Sequence, residues 1–141
     1  MNTPLRRLIL ALTAIIGLYV GLWAELFPHG FYTSFPGLGL DWISIDGAYD
    51  EHLIVDVGSF YLALTAVSIA AISARTDTPG RLAGLGWTVF GVIHFLFHVT
   101  HPAGSVIDKA GNVVTLGISA ILGIVLLFPT RNQVKPKEHH R

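Results

Sequence analysis

The sequence predicts an all-α fold, a polytopic membrane four-helix bundle with both termini on the cytoplasmic side. Three observations predict it. Four stretches are each apolar over the roughly 20 residues needed to cross a hydrocarbon core about 30 Å thick. Hydrophobic residues make up 52% of the 141 residues and charged ones only 13%, against about 25% charged in an ordinary soluble domain; mean hydropathy is +0.60. Finally, the nine Lys and Arg residues are divided very unequally between the two sets of connections.

The whole chain, 1–141, reads as a single membrane domain with spans at about 6–26, 51–74, 82–101 and 111–129. The first opens on Arg6-Arg7 and runs through "LILALTAIIGLYVGLWA". A basic start before an apolar run also describes a secretory leader. Here the run is long and Leu22-Trp23-Ala24 is no A-x-A cleavage site, so the segment reads as a retained span. Residues 27–50, rich in Gly, Pro and aromatics, form the longest connection and read as an interfacial loop, with Trp42 and its Phe and Tyr neighbours at headgroup level. "RTDTPGR" joins the second and third spans, "HPAGSVIDKAG" joins the third and fourth, and Pro129 ends the last helix.

Because spans alternate sides, the N-terminus, the 75–81 connection and the C-terminal tail lie together. That side carries Arg6, Arg7, Arg75, Arg81, Arg131, Lys135, Lys137 and Arg141; the other carries Lys109 alone. By the positive-inside rule the basic side is cytoplasmic, and the protein is expected in the plasma membrane. The formal net charge is zero and there is no basic patch, so nucleic acid is not an expected partner. There is no cysteine, which excludes disulfides, thiolate metal sites and thiol catalysis. The lipid bilayer is the expected environment, and no protein partner is specified. Gly17-x-x-x-Gly21 reads as a close-packing site for a neighbouring helix.

The chemistry concentrates in "IHFLFHVTH", residues 93–101. His94, His98 and His101 fall at i, i+4 and i+7, one stripe of a helix. At 1.5 Å per residue His94 lies about 20 Å from Arg81, in the outer third of the core. The second span enters from the outside and brings Asp56 to the level of His94 and His52 to that of His98. Glu25 and Asn112 reach the same layer from the first and fourth spans. Below it the polar residues are Thr13, Thr65, Ser68, Thr88 and Ser119, small side chains that can bond to the preceding turn of their own helix.

Three readings fit this layer. His52, Asp56, His94 and His98, with His101 in reserve, form an N/O donor set suited to a divalent transition metal such as Zn, Fe, Mn or Cu. An open coordination position would support oxidation or hydrolysis of a lipophilic substrate, with Glu25 as candidate base. Haem b held between two histidines is a second reading, less well matched because Asp56 lies beside the ligand. In the third, the protein is a non-enzymatic accessory or structural subunit, and the polar groups only join helices.

The stretches "FPHGFYTSFPG", "GAYDEHLIVDVGSFYLAL" and "HFLFHVTH" together resemble a group of small actinobacterial four-span membrane proteins with an EHxxxD pattern opening the second span and HxxxH closing the third. The resemblance implies the four-span topology and singles out Glu51, His52, Asp56, His94 and His98. It implies no reaction.

Overall fold

A computed structural model describes residues 2–130. The elements run in the order α1 (Pro4–Leu26), α2 (Pro28–Ser34), β1 (Pro36–Gly37), β2 (Leu40–Asp41), α3 (Glu51–Ile72), α4 (Thr78–Thr100) and α5 (Val106–Leu127). Helices α1, α3, α4 and α5 are long and apolar enough to cross a membrane. Their outward faces carry Leu8, Leu12, Ile15 and Leu22 on α1, Leu82, Leu85, Ile93 and Leu96 on α4, and Val114, Ile118 and Ile121 on α5, all exposed. A bundle bathed in water places polar residues there; this one presents hydrocarbon, as a bilayer requires.

Each helix start has a local cause. Thr3 accepts from the Arg6 N–H and Pro4 opens the first turn of α1. Asp50 caps α3 by accepting from Leu53 N–H. Pro79 sits in the first turn of α4, so that helix begins at Thr78, ahead of the predicted 82. Ser105 and Asp108 form a reciprocal capping box, which starts α5 at Val106, about one turn before the predicted 111.

The bundle consists of two tightly packed pairs, α1 with α3 and α4 with α5; α3 and α4 touch less extensively. Glycine permits both close crossings. A Cβ on Gly21 would lie 2.9 Å from Leu62 and 3.1 Å from the Gly58 carbonyl oxygen, so the Gly17-x-x-x-Gly21 motif is the seat of α3. A Cβ on Gly123 of α5 would lie 2.7 Å from the Thr88 backbone nitrogen. Val20, Ala24, Phe31, Ile54, Tyr61 and Trp87 form one core cluster, and Leu10, Ala71, Ala83 and Leu126 form the other, nearer the termini.

At the termini end, polar groups are spent on helix ends. Arg6 is buried and donates to the carbonyl oxygens of Leu126 and, at 3.0 Å, Phe128. Arg81 Nε donates to Leu127 O at 3.0 Å. Two cations thus meet the carbonyl end of α5, where the helix dipole favours positive charge. Asn2 Nδ2 closes the end of α3 through the carbonyls of Ala71, Ile72 and Ala74.

The 27–50 connection is structured. Helix α2 buries Phe31 against Trp23 and Phe35. A two-residue turn, Leu38-Gly39, joins β1 to β2 with both residues at positive φ, as a tight hairpin demands. The segment then crosses the far end of the bundle. Trp42 is 7% exposed, and its ring packs where Gly111 of α5 leaves room.

Candidate functional site

Helical phase decides where the predicted site residues go. On α3 the buried residues Ile54, Gly58, Tyr61, Thr65 and Ser68 form one stripe. At about 100° per residue, His52 and Asp56 fall on the opposite side of that helix. Their side chains are 89% and 62% exposed and pair with each other, Nε2 to Oδ2 at 3.4 Å. Glu25 of α1 is tied to Ser59 of α3, whose hydroxyl donates to Oε2 at 3.0 Å. Asn112 donates to Asp108 O at 3.1 Å, and Asp108 caps α5.

On α4 the phase is reversed. The buried residues Gly80, Gly84, Trp87 and Gly91 recur at i, i+4, i+7 and i+11, and His94 and His98 continue the same line. The histidine stripe is therefore the outer continuation of the inward-facing glycine seam. His94 and His98 are half-buried and His101 is exposed. The His94 ring lies 5.1 Å, centroid to centroid, from Phe90 and 4.9 Å from His98. His101 stacks on Phe97 and shares a hydrogen bond with the Thr100 hydroxyl.

The layer is thus split. His52 and Asp56 face away from the bundle on α3 while His94 and His98 face into it on α4. Among the described residues, no three His, Asp or Glu side chains come together as a group able to hold a metal ion. Depth along a helix carries no information on azimuth, and a shared site needs both.

Of the other polar residues expected in this layer, the structure brings Asn112 near His98, and it groups the histidines otherwise with residues outside the expected donor set. His94 lines a groove of about 490 Å³ between α3 and α4, together with Phe60, Gly86, Val89, Phe90, Ile93 and Phe97. Phe60 and Phe90 are in ring contact, 4.9 Å between centroids, and close its inner side. His98 instead lines a cavity of about 80 Å³ at the far end, between the close of α4, the start of α5 and the 42–46 segment, with Trp42, Asp46, Lys109 and Asn112 around it. Phe90 and Phe97 flank the histidines at an i, i+7 spacing that was visible in the sequence. Trp42 and Asp46 arrive from a loop whose path no periodicity encodes.

His94 has ring neighbours but no hydrogen-bond partner among the described residues. It sits six residues before the end of α4, about 9 Å below it. Chemically, the site is an open apolar groove lined by phenyl rings, with one imidazole that can donate or accept a hydrogen bond. Comparison with protein families, with curated proteins and with solved structures finds no match to this chain.

Proposed function

We propose that this multi-pass membrane protein binds a lipophilic small molecule in the groove between α3 and α4, with the ligand's polar head hydrogen-bonded to His94. The ligand class is a planar ring bearing a carbonyl or hydroxyl oxygen, such as a quinone or an alkylphenol. One observation carries the reading: His94 lies within a helix long and apolar enough to cross a membrane, beside a groove lined by Phe60, Phe90 and Phe97, with its ring nitrogens unpartnered among the described residues. A polar group placed in hydrocarbon without a compensating bond costs several kcal/mol, and an oxygen-bearing ligand supplies that bond. The groove's volume falls within the range of about 300–1,000 Å³ typical of small-molecule sites. The chain lies in the plasma membrane with its termini in the cytoplasm, a topology supported by eight basic residues on the termini side against Lys109 on the other. The groove then opens in the outer half of the bilayer. Since the chain has no cysteine, a Thr78→Cys variant gives a clean label; modification of intact cells by an impermeant maleimide would reverse this orientation.

The binding test uses purified protein in lipid nanodiscs and a decyl-substituted benzoquinone. Saturable binding is expected, with a shift of the His94 ring nitrogen signals in histidine-labelled protein. His94→Ala should weaken binding by about tenfold, the worth of one hydrogen bond to a buried group, and His101→Ala should leave it unchanged. Absence of saturable binding by the wild-type protein to both the benzoquinone and an alkylphenol overturns the reading.

A further inference from the structure

Two recesses meet at one pair of rings. His94 belongs to the apolar groove between α3 and α4. His98 belongs to the small cavity at the far end, where Asp46 and Lys109, both exposed, stand on the rim beside Asn112. The two imidazoles are 4.9 Å apart between centroids, with their planes inclined by 51°. Neither has a hydrogen-bond partner among the described residues. From this juxtaposition we infer that His94 and His98 form a proton path between the lipophilic groove and the water at the far end of the bundle.

The steps balance as proton transfers alone. A proton from water in the far-end cavity adds to the free nitrogen of His98. A turn of the rings brings one nitrogen of each within hydrogen-bond reach across the 4.9 Å between centroids, and the proton on the other nitrogen of His98 then passes to the free nitrogen of His94. The proton on the far nitrogen of His94 passes to an oxygen in the groove. On each ring one N–H bond forms and one breaks, no electron pair leaves its atom, and both rings end neutral in the opposite tautomer. A ring flip at each restores the start, and the sequence runs equally in reverse.

The surroundings suit a path better than an adhesive. Histidines that joined helices would bond across to α3 or α5, and these do not. Toward the groove α3 presents Phe60; its carboxylate Asp56 is on the opposite side of that helix, paired with His52, and Glu25 of α1 is engaged by the Ser59 hydroxyl. The charged groups near His98 are Asp46 from the 42–46 segment and Lys109 from α5. Both sit where water reaches, and so can hand protons to and from solvent. The depth step fits as well: His98 lies about 3 Å below the end of α4 and His94 about 9 Å below it.

This inference rests on the ligand-binding reading for the identity of the groove oxygen, but its test does not. Full-length protein in nanodiscs, labelled with ¹⁵N at histidine, allows the exchange of the His94 ring N–H with water to be followed by NMR, first without ligand and then with decyl-benzoquinol. His98→Phe should slow that exchange by on the order of a hundredfold, the scale on which a positioned acid–base group acts, while affinity for the quinol stays unchanged. His98→Gln keeps a polar side chain but cannot relay, and should slow exchange as much; it also serves if the phenylalanine variant folds poorly. His101→Phe should leave exchange as it is in the wild type. Unchanged His94 exchange in either folded His98 variant overturns the path. Failure of the wild-type protein to bind the quinol removes the ligand reading alone, since the exchange measurement on ligand-free protein still decides whether the pair conducts.

Discussion

The indole Nε1 of Trp87 donates to the Ser68 hydroxyl oxygen at 2.8 Å, and Thr13 Oγ1 lies 3.4 Å from the same oxygen. All three side chains are fully buried, so one small polar contact ties α4, α3 and α1 together at the centre of the bundle. Ser68 keeps its own donor for Leu64 O, 2.9 Å away. The indole N–H, which has no water to turn to in a membrane interior, is thereby satisfied.

Ser68→Ala should therefore cost more than the loss of a small side chain. It leaves the Trp87 N–H buried without an acceptor, a penalty of about 1–3 kcal/mol. Trp87→Phe also costs stability, through the volume it removes, but needs no acceptor. The double variant should accordingly be more stable than the sum of the two single losses implies. Unfolding of the reconstituted protein by sodium dodecyl sulfate measures all three, and strict additivity would show that the contact contributes nothing.

Gly123→Val tests the α4–α5 seam. Its first added carbon would lie 2.7 Å from the Thr88 backbone nitrogen and 2.8 Å from the Trp87 carbonyl carbon, atoms that move only if the helices part. Overpacking of this kind costs about 1–3 kcal/mol or more. Gly47→Ala is the control, because nothing lies within 4 Å of the added methyl. The same detergent unfolding should show a large loss for the first and almost none for the second; equal stability of the two would mean the seam is looser than described.

Asp77 gives a pH dependence at the termini end. The Thr130 backbone N–H and hydroxyl donate to Asp77 Oδ2 at 3.0 and 3.1 Å and hold its carboxyl below the ordinary value. A carboxyl whose folded pKa is depressed adds stability that is complete above its unfolded value of about 3.9 and is lost as pH falls through the folded one. Wild-type protein should thus melt at a higher temperature than Asp77→Asn near neutral pH, and the gap should close as pH drops below about 4. A gap that persists unchanged in acid would assign the difference to shape rather than charge.

Much of this architecture is written along the chain. Length, hydropathy and breakers were enough for four spanning helices, because a bilayer demands an apolar run of fixed length whatever the run packs against. Spacing alone placed His94, His98 and His101 on one stripe of a helix. The caps were also local: Ser105 with Asp108, and Pro79 in a first turn, start α5 and α4 about a turn earlier than hydropathy alone suggests, since hydropathy is blind to capping groups.

What the sequence by itself determined is the number of long apolar helices and the residues that share a face. What only the tertiary structure decided is which faces meet. Helices α1 and α3 close at Gly21 and Gly58, α4 and α5 at Gly84 and Gly123, and these close approaches fix the rotation of each helix. That rotation turns His52 and Asp56 outward, turns His94 into the α3–α4 groove and leaves His98 under Trp42. The physical reason is that depth follows from rise per residue, a local quantity, whereas azimuth follows from which small residues let two backbones approach, a property of pairs of helices far apart in sequence.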